Sequence, residues 1–202
     1  MNAELTDKLI TKYPVLFGGV NKSPKESLMC FGIECGSGWF QILNALCIMI
    51  NNGTDMYFSA SQDYPWYIRL WNHASTKLGK YKWAIHYGGK FCAPKIEFMQ
   101  IKEKYGTLRV YLGQTIFDKA TSEIINKYPK STQKLLDRWH NEVDGAIQLA
   151  EDLSSITCEN CGKPGEACQR GIWIATMCQE CMTKEDNNGF VTCQYVNENK
   201  VE

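Results

Sequence analysis

The sequence contains no uninterrupted apolar run near the roughly 18–20 residues a membrane helix needs, so no bilayer-spanning helix is expected. Its first residues, Met1 to Lys8, lack a basic stretch followed by an apolar one, so no secretory signal is expected and a cytoplasmic setting follows. Neither sign of charge dominates, because 22 Lys and Arg balance 22 Asp and Glu. No global field then draws in nucleic acid or anionic membrane, and only a local basic patch would do so. Histidine is scarce. His73, His86 and His140 stand far apart and outside any His-Glu-x-x-His pattern, so each reads as a surface or polar-core side chain. A Gly-x-Ser-x-Gly elbow, a P-loop and a dinucleotide-binding glycine fingerprint are all missing. The acids Asp137, Glu142 and Asp144 share a helical surface with Lys134 and Arg138, so no catalytic carboxylate pair stands out. Nothing here specifies an enzyme.

Cysteine, by contrast, is abundant: the chain has ten. In a reducing cytoplasm these read as metal ligands and buried small hydrophobes rather than a disulfide framework. Cys158-Glu159-Asn160-Cys161 and Cys178-Gln179-Glu180-Cys181 are two C-x-x-C pairs separated by sixteen residues. A tetrahedral zinc ion needs four such ligands, and each C-x-x-C turn places two thiolates on one side. Gly162 lets the chain leave the first turn, and Arg170 to Thr176 between the pairs is a strand candidate. The expected cofactor is therefore one structural Zn2+ on Cys158, Cys161, Cys178 and Cys181. Four thiolates leave no position for water, so such an ion folds a module and activates no nucleophile. The competing readings are a redox dithiol, which fits two pairs poorly, or two disulfides. Cys168 has no partner at ligand spacing and reads as a bystander.

The periodicity predicts an α+β fold: a mainly helical body around a β-hairpin or small antiparallel sheet, with a C-terminal zinc ribbon. The expected boundary separates a body at residues 1–154 from a ribbon and polar tail at 155–202. Trp39, Ile42, Leu43, Leu46, Cys47 and Ile50 recur at helical spacing after Ser37, a candidate cap, with Asn51-Asn52-Gly53 as a stop. This is the most apolar helix and is placed at the core. A second helix is expected from Asp63 to Leu78, with Tyr64, Ile68, Trp71 and Leu78 on one face, and a strand from Lys80 to Tyr87. From Pro94 the period is two: Ile96, Phe98 and Gln100 alternate with Glu97, Met99 and Ile101, and the chain turns at Lys104 to Thr107 into Leu108, Val110 and Leu112. Helices follow over about Ile116 to Lys127 and from a Ser131 cap to about Leu153.

Two stretches are candidates for binding. Cys35-Gly36-Ser37-Gly38-Trp39 feeds a helix start, where free N–H groups attract an anion, although such an entry is more often only a tight turn. The hairpin carries Lys102, Lys104 and Arg109 among aromatics, with Glu97 and Glu103 diluting their field. If they converge, Ser37, Gly38, Trp39, Lys102, Lys104 and Arg109 make a pocket for a small nucleotide-like anion.

Three segments, Cys35 to Leu43, Ile101 to Tyr111 and Cys158 to Gly165, together resemble an uncharacterised family of small proteins encoded by bacteriophages and prophages. The resemblance covers about half the chain and carries no functional residues with it. It implies a phage accessory product in the host cytoplasm, a class that often inhibits host enzymes or sequesters host immune signals. The first expectation is thus a non-enzymatic protein that captures a nucleotide-like ligand or a host protein, an action that would counter host defence. The second is a nucleic-acid-binding regulator using the ribbon, which offers only Lys163, Arg170 and Lys184 as cations. The third is a metal-independent hydrolase within the body.

Overall fold

The computed structural model of the chain describes residues 1–51 and 55–193. In chain order its elements are α1 (Ala3–Lys12), β1 (Ile33–Glu34), α2 (Phe40–Asn51), β2 (Asp55–Ser59), α3 (Trp66–Lys77), β3 (Gly88–Cys92) and β4 (Phe98–Lys104), followed by β5 (Thr107–Leu112), α4 (Lys119–Lys127), α5 (Pro129–Ser154), β6 (Glu166–Arg170), β7 (Trp173–Met177), α6 (Gln179–Met182) and β8 (Val191–Thr192). Helices and small sheets are mixed, as the periodicity predicts. None of the described helices is long and apolar enough to cross a membrane.

The chain divides into two units. One comprises Met1–Asn52, Ile96–Thr115 and Asp144–Glu202, and the other Gly53–Lys95 and Ile116–Val143. The division does not fall at residue 154. The cysteine-rich segment belongs with the N-terminal residues, because its first C-x-x-C turn is hydrogen-bonded to the glycine loop before α2.

In the first unit α2 fills the core: Leu43, Leu46, Cys47 and Ile50 are buried, and Trp39 ahead of the helix is fully buried. A short 3-10 turn, Ser37–Trp39, precedes α2, so Gly36 rather than Ser37 occupies the capping position. The expected stop at Asn52 and Gly53 lies outside the described residues. α1 is capped by Asn2, whose Oδ1 accepts from the Leu5 N–H at 2.9 Å. The three-stranded sheet has order β1-β4-β5, with β1 parallel to β4 and β4 antiparallel to β5. Tyr105 and Gly106, at φ 54° and 77°, form the two-residue turn between β4 and β5. Two successive left-handed residues match the natural strand twist. Strict alternation predicts Phe98 and Ile101 on opposite faces, yet both are fully buried. A bulge between Phe98 and Gln100 shifts the register by one residue and returns Ile101 to the core side.

In the second unit β2 and β3 pair antiparallel, with Met56 opposite Phe91. Phe58 packs its ring against Phe91 and Tyr128, at centroid distances of 6.1 and 5.2 Å. The strand expected over Lys80–Tyr87 is instead a 3-10 turn, Tyr81–Trp83, and pairing begins only at Gly88. The glycines read as a terminator start the strand, because Gly88 lies against the Phe58 carbonyl where a Cβ would stand 2.6 Å from its oxygen. α3 starts at Trp66, after Pro65, rather than at Asp63. Asp63 instead accepts from the backbone N–H groups of Lys130 (3.0 Å) and Ser131 (2.8 Å), satisfying the start of α5 from a distance. Ser131 is accordingly inside that helix and not its cap, and Pro129 takes the first position, where its missing N–H costs nothing. Burial alone would raise the Asp63 pKa, but its partners at Ser131 and Lys130 outweigh that and hold it below the ordinary value. Asp118 caps α4 through the Thr121 N–H at 2.7 Å.

Candidate metal centre

The ribbon is built from two hairpin-like pieces. After α5 the chain enters the first C-x-x-C turn, where the Gly162 N–H donates to the Cys158 carbonyl at 2.9 Å and the Cys158 N–H to the Lys163 carbonyl at 2.8 Å. Gly162 sits at φ 77°, a left-handed conformation that a side chain would strain. β6 and β7 form an antiparallel hairpin, β8 adds to the outer edge of β6, and the second C-x-x-C pair places Cys178 at the cap of α6 and Cys181 within it. The stretch read as one strand, Arg170 to Thr176, is thus a strand end, a turn at Gly171-Ile172 and a second strand.

The sulfurs of Cys158, Cys161, Cys178 and Cys181 all lie within 4.8 Å of one another, so they can hold a metal ion. A tetrahedral ion with metal–sulfur bonds of about 2.3 Å places its ligands about 3.8 Å apart, a spacing within the bound that the four sulfurs keep. Cys161 and Cys178 approach to 3.5 Å. That is well beyond a disulfide bond of about 2.05 Å, and none of the four is in a disulfide. Cys158, Cys178 and Cys181 are buried while Cys161 faces solvent. Burial pushes the Cys181 thiol up to about 12. The Cys181 backbone N–H instead draws Cys178 down to about 7, despite an opposing burial effect. Met177, Met182 and Phe190 pack around the sulfurs. Cys168 is fully buried with its thiol on the Ala175 carbonyl at 3.2 Å and belongs to the packing, as its isolated spacing indicates.

The glycine loop serves this centre. Gly38 donates to the Glu159 carbonyl at 2.7 Å, Gly36 to the Glu159 Oε1 at 2.8 Å, and the Trp39 indole to the Thr157 carbonyl at 2.7 Å. A Cβ on Gly38 would stand 2.2 Å from the Cys158 carbonyl, so only glycine permits the approach. The anion expected at this helix entry is therefore an internal one, the Glu159 side chain. Burial raises the Glu159 pKa, with the Gly36 hydrogen bond opposing. Glu159 occupies a variable position of the C-x-x-C motif, and no local pattern marks it as a partner of a loop more than a hundred residues away.

The six residues expected to form a nucleotide pocket are engaged separately. Ser37 accepts from the Asn2 N–H at 3.0 Å, and Trp39 is fully buried and cannot stack on a ligand from solvent. Arg109 pairs with Glu151 at 3.1 Å. Lys102, directly opposite Arg109 on the hairpin, lies over the Tyr111 ring at 5.4 Å. Lys104 alone borders a cleft, about 330 Å³ in volume, together with Glu103, Tyr105, Ile172, Trp173 and Ile174. There the Thr176 hydroxyl donates to the Gly106 carbonyl at 2.6 Å and holds the ribbon hairpin beside the β4–β5 turn. Ile172 is 95% exposed and Trp173 62% exposed. The signal for this tip was an isoleucine following glycine in a hairpin turn, where polar residues are usual. No family model matches the chain, and neither a curated protein nor a solved structure matches it.

Proposed function

We propose that the ion is a single Zn2+ with a purely structural role, and that the chain is a non-enzymatic binding protein whose zinc-stapled hairpin tip captures a host protein. Four thiolates with no oxygen donor suit zinc, and a closed set leaves no position for a reacting water. The observation that carries the recognition role is the tip itself. Ile172 and Trp173 project at the end of a hairpin, beside the exposed ring of Tyr105 and the cation of Lys104. An aromatic anchor with one charged neighbour on a rigid hairpin is the composition of a binding hot spot. The resemblance to phage-encoded proteins supplies the context, a bacterial host whose defence such capture would counter.

Reading of nucleic acid by the ribbon has weaker support. Lys163 pairs with Glu180 at 2.6 Å, and Arg170 lies over Phe190 at 4.6 Å while donating to the Asn188 carbonyl at 3.1 Å. Lys163 is faced by an acid and Arg170 is held within the ribbon, which leaves the ribbon little excess positive charge. The test is quantitative affinity capture from a bacterial lysate with the wild-type protein and an Ile172→Ser/Trp173→Ser variant, alongside native mass spectrometry. The expected result is one bound zinc in both proteins and a host protein retained only by the wild type. Identical capture by the two sinks the tip as a recognition surface. A salt-sensitive shift of labelled DNA or RNA that the variant keeps would favour the nucleic-acid reading.

A further inference from the structure

The second unit contains a cavity of about 540 Å³ between the β2 end and the first turns of α5. Small-molecule sites in proteins span about 300–1,000 Å³, so the size is that of a ligand pocket rather than a packing defect. We propose that this cavity binds a phosphorylated small molecule carrying a flat ring, the chemistry of a nucleoside monophosphate. This goes beyond the zinc-stapled tip, which belongs to the other unit.

The phosphate end is set by α5. Lys134 and Arg138 line the cavity one helical turn apart. Lys134 has no ion-pair partner among the described residues. Arg138 meets Glu142 at 3.4 Å, with both side chains about two-thirds exposed (66% and 67%). Such a water-screened pair is weak, and a doubly charged phosphate competes well for the guanidinium. Ser131 adds a neutral donor on the same wall. Its residue is only 8% exposed, and its Oγ is buried without a hydrogen-bond partner. The hydroxyl lies near enough to Asp63 to steady that carboxylate, but not in hydrogen-bonding geometry. A buried hydroxyl left unpaired is costly, and a ligand oxygen in the cavity satisfies it. The helix N–H groups of Lys130 and Ser131 are already given to Asp63, so the side chains, not the helix start, make this site.

The opposite wall suits a ring. Tyr57 borders the cavity and is 71% exposed, which leaves much of its ring open to a ligand. Aromatic faces of this kind stack on nucleobases. Ser59 and Ser61 on the same wall offer hydroxyls to a sugar. Asp137 is the one acid on the lining, and its Oδ1 already accepts from Gln133 at 2.8 Å. The lining itself carries two cations and one acid, with Glu142 beside Arg138 and Asp63 beside Ser131 just outside it, so the anion preference rests on direct phosphate contacts from Lys134 and Arg138 rather than on net charge.

The experiment is isothermal titration of the purified full chain with AMP, GMP, CMP and UMP, with inorganic phosphate and adenosine as separate arms. At least one monophosphate binds with saturation at one per chain, and at least about tenfold tighter than phosphate or adenosine alone, since both ends contribute. The exposed double substitution Lys134→Gln/Arg138→Gln weakens that binding by about tenfold or more while leaving the thermal transition in place. Tyr57→Ala weakens it about fivefold or more. Trp173→Ser at the ribbon tip leaves it unchanged, which separates this site from the one proposed above. No saturable heat from any of the four monophosphates overturns the proposal. So does adenosine binding as tightly as AMP, or a double variant that binds like the wild type.

Discussion

Trp39 and Trp66 each stand at the entry to a twelve-residue helical stretch, yet the first is fully buried and the second 70% exposed. The helix after Trp39 repeats its apolar residues on one stripe, so Leu43, Leu46, Cys47 and Ile50 enter the core together. The helix that begins at Trp66 places Trp66, Tyr67, Leu70 and Trp71 at positions i, i+1, i+4 and i+5, which also lie on one side, yet all four stay exposed. The face expected from Tyr64, Ile68, Trp71 and Leu78 forms only in part: Tyr64 is buried and Ile68 half-buried, whereas Trp71 and Leu78 are exposed and the buried helical residue is Ser75. An apolar stripe alone does not bury a helix; a surface must also cover it. One unit is therefore organised from within, by a core and a cysteine centre. The other keeps much of its aromatic surface facing water.

The sharpest way to break this comparison is to disable the four-cysteine centre and the metal proposed for it. Cys158→Ser, or prolonged chelation, removes one closed ligand set whose apparent contribution in small zinc modules is about 10 kcal/mol or more. The expected outcome is loss of hydrogen-exchange protection across β6, β7 and the Gly36–Trp39 loop, with β2 and β3 amides unchanged. An equal loss in β2 and β3 would show that the two units do not differ in this way. Acidification should release the ion as the thiolates take up protons, which native mass spectrometry follows directly.

Next in size, Trp39→Ala should cost about 3–5 kcal/mol in denaturant unfolding, because it empties a fully enclosed site. Trp66→Ala should change stability by no more than about 0.5 kcal/mol. Equal effects from the two would erase the contrast. Gly38→Ala should cost about 2–3 kcal/mol and weaken metal retention, since the new methyl must displace the first C-x-x-C turn. The smallest effect belongs to the second unit. Asp63→Asn should cost about 1 kcal/mol through the weakened start of α5. Because the folded Asp63 pKa lies below its ordinary 3.8, its contribution is complete above that pH and is lost as the pH falls through the lower folded value. Unfolding measured between pH 5 and 2 should therefore show a loss in the wild type that Asp63→Asn lacks (window set about the ordinary Asp value).

Legibility followed the range of the forces involved. The four cysteines could be read because a chelate turn fixes ligand spacing within four residues, and the helix after Trp39 could be read because its stripe repeats locally. The β4–β5 hairpin was legible through alternation and its Tyr-Gly turn, but the bulge that moves Ile101 was not, since one added residue leaves the composition unchanged. Glu159 at the glycine loop, Asp63 at the start of α5 and Thr176 on Gly106 were illegible for a common reason. Each bond joins groups 68 to 123 residues apart, or 70 for Thr176, where no periodicity carries information.

The sequence by itself determined where four thiolates can gather and which helix is apolar enough to form a core, because both depend on neighbours along the chain. Only the tertiary structure decided that the glycine loop holds the first C-x-x-C turn, that Lys134 and Arg138 share a cavity with Tyr57, and that Ile172 and Trp173 face solvent. Those outcomes depend on which distant backbones approach closely enough to exclude water, and close packing settles that only when the whole chain has folded.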